Sequence, residues 1–81
     1  MSNIAKLANL LQSINAKTGT GLNLSIDFVG GGNEFHVEVT KASRADAAFN
    51  MVTLYEFDTT AAELEQGLAY AVEEIRATFG I

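Results

Sequence analysis

Residues 22–40 read LNLSIDFVGGGNEFHVEVT. On both sides of the glycines, apolar and polar residues alternate. Leu22, Leu24, Ile26 and Phe28 share one parity, against Asn23, Ser25 and Asp27. Phe35, Val37 and Val39 repeat the pattern against Glu34, His36, Glu38 and Thr40. A period of two is that of a strand with one face in a core and the other in water. Gly30, Gly31, Gly32 and Asn33 then form the connection of a hairpin, because they adopt positive φ easily. A phosphate loop would lead from a strand into a helix N-terminus and continue with Lys-Ser or Lys-Thr. These glycines lead from a strand into a strand, so they imply no nucleotide.

Charge selects the register. Pairing Phe28 with Phe35 leaves a four-residue loop and sets Asp27 opposite His36. A two-residue Gly-Gly turn would set Asp27 opposite Glu34, and facing like charges destabilise a ladder. The first register is expected, with a solvated Asp27–His36 pair that favours the charged imidazole.

Working outward, Ile4, Leu7, Ala8, Leu11 and Ile14 recur at three- and four-residue steps, widened by Leu10. They predict a helix capped by Ser2 or Asn3 and ended at Gly19, with Lys17 at the negative end of its dipole. After the polar stretch KASRADAA, Phe49–Phe57 (FNMVTLYEF) is rich in β-branched and aromatic residues and predicts a third strand. It carries apolar residues on both parities. If Phe49, Met51, Tyr55 and Phe57 face the helices, Val52 and Leu54 face outward and with Tyr70 are candidates for an exposed apolar patch; the alternative is that the strand has the opposite register or that a loop covers them. The stretch DTTAAELEQGLAYAVEEIRATFG is a second helix, with Thr60 and Glu63 placed for a capping box. Asp58, Glu63 and Glu65 complement its dipole. Leu64, Leu68, Ala71, Val72, Ile75 and Phe79 form its stripe, and Gly67 within it predicts close contact with the sheet.

The reading is one α+β domain over 1–81: two layers in the order α-β-β-β-α, a three-stranded antiparallel meander with both helices on one face. That topology is similar to that of double-stranded-RNA-binding domains. Those domains carry a lysine cluster at the start of the last helix. Here the position reads DTTAAELE, which repels phosphate, so no function transfers.

Composition narrows the function classes. Eighty-one residues hold no cysteine, which excludes disulfides and Cys-based zinc sites and fits a reducing compartment. Residues 1–17, MSNIAKLANLLQSINAK, lack a basic start, an apolar run and a small-residue cleavage site. A cytoplasmic protein without a membrane span is therefore expected. Net charge is −5, and of the ten acids seven follow Ala45, where Arg76 is the single base. No basic face for nucleic acid or an anionic membrane is visible.

Each site candidate is weighed against its plain alternative. His36, the one histidine, stands among Asp27, Glu34 and Glu38. Strand residues spread over a flat sheet rarely converge on an ion, so no metal and no cofactor are expected. Ser43 with Arg44 and Asp46 lacks a strand-to-helix elbow and a second histidine. No carboxylate pair shows a cleft, so the chain is not expected to be an enzyme. The acids Glu56, Asp58, Glu63, Glu65, Glu73 and Glu74 are either a solubilising surface or a surface for a basic partner. Together with Tyr70, Val52 and Leu54, they are the predicted partner-binding residues.

The expected function is a small, acidic, non-catalytic protein-binding module for a partner with a basic surface. In size, acidity and lack of a site, it resembles small phage- or plasmid-encoded proteins that block bacterial defence complexes. That resemblance implies an inhibitor or adaptor of a nucleic-acid-handling complex, such as a CRISPR complex. The alternative is a self-assembling subunit, a homodimer or larger. A third reading is a small enzyme or metal-dependent regulator at His36.

Overall fold

The first helix, α1 (Asn3–Thr18), buries Leu7, Leu11 and Ile14 along the predicted stripe. Ser2 is its N-cap, and its hydroxyl accepts from the Ala5 N–H at 3.4 Å. Gly19 ends the helix in the left-handed region, at φ 71°. A computed structural model describes residues 2–29, 33–43 and 50–81. The conformation expected of Gly30–Gly32, the Arg44 and Asp46 loop and the facing of Phe49 lie outside those residues.

Three antiparallel strands follow, β1 (Gly21–Val29), β2 (Glu34–Ser43) and β3 (Asn50–Thr60), and then α2 (Leu64–Phe79). The sheet order is β1-β2-β3. The register is the one that charge selects: Phe28 faces Phe35, and Asp27 faces His36. Both helices lie on the face that carries Leu22, Val37 and Val39, and close one core with Leu68, Ala71 and Ile75. The central strand supplies the best-buried sheet residues, Val37 and Val39. This is the predicted α-β-β-β-α architecture.

The helices run the same way, because α1 leads into β1 at the sheet end toward which α2 points back. Their N-termini are therefore neighbours. The Asn3 N–H donates to Glu65 Oε2 at 3.0 Å, and Asn3 Nδ2 donates to the Glu65 carbonyl at 2.6 Å. α1 has no acid in its own first turn, so Glu65 supplies the negative charge its positive end favours. At the other end, Asn15 exchanges two hydrogen bonds with the Leu22 backbone, at 2.9 and 3.2 Å. That exchange holds α1 against the β1 edge.

Three expectations change. The capping box is absent: β3 continues to Thr60, which pairs with Glu34, and α2 begins after Glu63, whose side chain makes no cap bond. The alternation carried on by Thr59, buried on the core side, keeps the chain extended there. Leu54 does not face outward. A β-bulge lies opposite Val39 and Thr40, which pair with Tyr55 and Thr53 and leave Leu54 as the extra residue. An extra residue resets the parity of a strand, so Leu54 and Tyr55 both pack against the core. Parity counted across the bulge exchanges the next two residues: Met51, beside Ala42, is on the outer face and Val52, beside Lys41, is on the helix side, the reverse of the prediction for both. Val52 and Met51 are 51% and 54% exposed. Phe28 keeps the predicted parity but is 61% exposed, because it stands at the sheet end beyond the buried helix residues.

Gly67 fulfils the prediction of close contact. A Cβ there would lie 2.5 Å from Phe57 Cε2 and 3.0 Å from its Cζ. Gly67→Ala gains helix propensity of about 1 kcal/mol but pushes a packed ring edge, at a cost of about 1–3 kcal/mol. A net loss of about 1 kcal/mol is expected in urea unfolding, smaller in the Phe57→Leu background. Equal losses in both backgrounds would show that the ring contact is not the cause.

Candidate functional site

The outer sheet face follows from the pleat. Because Val37 and Val39 point into the core, His36, Glu38 and Glu34 point away from it. Register adds Asp27 from β1 and Glu56 and Asp58 from β3. Among the described residues this face carries five carboxylates, one imidazole and no Lys or Arg.

His36 is the centre of the face. Its Nδ1 lies 2.7 Å from Asp58 Oδ1. Its Nε2 lies 3.7 Å from Glu38 Oε1 and 3.5 Å from Glu56 Oε2. The expected pairing with Asp27 is not made, although the register is right. Asp27 instead accepts from Ser25 Oγ at 3.3 Å. A residue on the central strand has neighbours on both sides, and β3 offers two carboxylates where β1 offers one. Glu38 and Glu56 face each other directly in the ladder, and Thr53 Oγ1 donates to Glu38 Oε2 at 2.5 Å. The spread expected of a flat sheet is therefore not found: one donor atom each from His36, Glu38 and Glu56 lies within 4.8 Å of the others.

The imidazole pKa stands above its ordinary value. The hydrogen bond to Asp58 is the main cause. Partial desolvation opposes it, and the charges of Asp58, Glu56 and Glu38 add to it.

A groove lies between β3 and α2, with a volume of 330 Å³, lined by Tyr55, Phe57, Asp58, Thr59, Glu63, Gln66, Gly67 and Tyr70. Phe57 and Thr59 face the helices and Asp58 faces away, so a groove that touches all three runs along the strand edge. That outer edge of β3 pairs with no other strand among the described residues. Tyr55 and Phe57 rings, 5.7 Å apart, give it an aromatic wall.

Of the predicted partner-binding residues, the fold brings Asp58, Glu63 and Tyr70 into this groove and Glu56 beside His36. Glu73 and Glu74 are exposed on α2. Glu65 is occupied by Asn3, Val52 is exposed on the far half of β3, and Leu54 belongs to the core. Sequence reasoning missed the joining of His36 to Glu56 and Asp58. The period-two spacing of Glu56 and Asp58 was the available signal, but only the β2–β3 register shows which residue they meet.

A second apolar hollow, of 420 Å³, opens at the hairpin end between Phe28, Asn33, Phe35, Thr60, Ala61 and Ala62. The Phe28 and Phe35 rings meet edge to face there, 5.3 Å apart. No helix among the described residues is long and apolar enough to cross a membrane. Comparison with known proteins found no matching family model, no matching curated protein and no matching solved structure.

His36 should titrate above the usual imidazole value in the folded chain, and Asp58→Asn should lower that midpoint. Since the folded pKa is the raised one, the stabilisation is complete below the unfolded value and fades as pH rises through the folded value. A proton-detected titration of the ring, with thermal melts on both sides of its midpoint, checks both statements. An unchanged midpoint in Asp58→Asn would remove Asp58 as the cause.

Proposed function

We propose that the protein is a non-catalytic binding module that captures a basic, extended segment of a partner protein along the β3 edge. One observation carries the reading: Asp58 on β3, Glu63 at the start of α2 and Tyr70 on α2 line a single groove beside a strand edge that pairs with no other strand among the described residues. An unpaired edge offers backbone donors and acceptors to an added strand. The Tyr55 and Phe57 rings accept the aliphatic stem of a Lys or Arg, and Asp58 and Glu63 accept its charged head. The five carboxylates of the outer face supply a negative field that speeds encounter with a positive surface.

In its finer form, the reading is an inhibitor or adaptor of a nucleic-acid-handling complex, of the kind carried by phages and mobile elements. Proteins that hold nucleic acid present Lys and Arg in rows, and a carboxylate face of this kind competes for them. A self-assembling subunit is the second reading, favoured by the uncovered hairpin end, where Phe28 is 61% and Val29 46% exposed.

Affinity capture from a bacterial lysate at low and high salt tests these readings against each other. Wild type should retain a stoichiometric partner that is released by salt and displaced by added DNA or RNA. The Asp58→Lys, Glu63→Lys double variant should lose it. Capture unaffected by charge reversal would sink the groove. Recovery of the chain alone, as a dimer that Phe28→Ser dissociates in sedimentation, would establish the second reading.

A further inference from the structure

We propose that His36, Glu38 and Glu56 bind one divalent transition-metal ion of the zinc class on the outer sheet face. The donor atoms are already gathered. His36 Nε2 stands 3.7 Å from Glu38 Oε1 and 3.5 Å from Glu56 Oε2, and one atom from each residue fits within 4.8 Å. A tetrahedral ion with bonds of about 2.0–2.2 Å sets its ligand atoms about 3.4 Å apart. Two edges of such a tetrahedron therefore need only a few tenths of an ångström of movement, and the exposed Glu56 side chain can supply the third.

The backbone independently points to a cation. Glu38 and Glu56 are direct partners in the β2–β3 ladder, so the fold itself, and no chance rotamer, sets two like charges face to face. Such a pair is unfavourable unless something positive lies between. No Lys or Arg stands on this face among the described residues. His36 is the one residue of the face that can offset the pair, either as a protonated ring or as a ligand to an ion.

The surroundings suit the second use. Asp58 Oδ1 holds Nδ1 at 2.7 Å, which turns Nε2 toward the two glutamates as the free donor. Thr53 Oγ1 donates to Glu38 Oε2 at 2.5 Å, leaving Oε1 toward the ring. Outer partners of this kind orient metal-ligating histidines and carboxylates. An imidazole beside two carboxylates selects zinc-class ions over magnesium and calcium, which prefer sets of oxygen donors alone. Three protein donors leave a fourth position for water. The ion would tie β2 to β3, and an ion that binds only the folded chain raises its melting temperature.

The test uses the full chain and Zn²⁺ alone, read by the His36 side-chain nitrogen shifts and by thermal melts. Saturation at one equivalent is expected, with the Nε2 signal moving, the melting temperature rising and excess Mg²⁺ having no effect. Glu38→Gln and Glu56→Gln relieve charge repulsion and should stay folded, yet each should abolish saturable binding. Asp58→Asn should weaken it about 10-fold, and Glu73→Gln should leave it unchanged. Absence of saturable binding would overturn the proposal. So would zinc binding that survives both glutamine variants, which marks a lone imidazole, or shifts spread over the acids of α2.

Discussion

Val37 and Val39 hold the whole arrangement in place. They sit on the central strand, and their exposures are 1% and 0%. A one-residue slip of β2 would turn both into water and carry His36 and Glu38 into an apolar core. Burial of two valines thus fixes the direction of an imidazole and a carboxylate that never touch the core. Hydrophobic packing on one face works as a positioning device for the charged face opposite.

The bulge at Leu54 gives β3 two roles. On the Thr60 side of it, Tyr55 and Phe57 pack beneath α2, and Glu56 and Asp58 stand over His36. On the Asn50 side the faces exchange, and Met51 emerges on the outer face beside Ala42. A strand without the extra residue would have to expose Leu54 or bury a polar neighbour. The close seat of α2 depends on the same segment: Phe57 fills the space that a side chain at residue 67 would take. Because Gly67 lets α2 come close, the groove between helix and strand edge stays narrow enough to bring Asp58, Glu63 and Tyr70 together.

The acids are not one uniform surface. Glu65 completes the start of α1, Glu38 and Glu56 face one another across the ladder, Asp58 serves both His36 and the groove, and Glu73 and Glu74 are exposed. Their number kept the net charge negative, but their uses differ with position. A proton on His36 and an ion at Nε2 are alternatives at one nitrogen, so pH and metal act on the same group. The groove contains neither Glu38 nor Nε2, so the lining of the proposed docking groove and the proposed metal centre share only the Asp58 carboxylate.

The sequence by itself determined the element types, their order, the hairpin register and the apolar stripes. Leu7, Leu11, Ile14, Leu68, Ala71 and Ile75 are buried as their spacing requires. Even the close approach at Gly67 was legible, because a glycine inside a strong helix needs a reason. These are local signals, carried by periods of two and 3.6 residues and by neighbouring charges. Only the tertiary structure decided what faces what between β2 and β3. The connection there gives no turn rule, the bulge shifts parity without a marker residue, and the aromatic residues of β3 fit either face. Hence Leu54 passed from the surface to the core, Thr60 from a helix cap to a strand end, and His36 from Asp27 to Asp58. Alternation says that a strand has two faces, but which distant residues share one is set by ladder hydrogen bonds formed only when the chain folds.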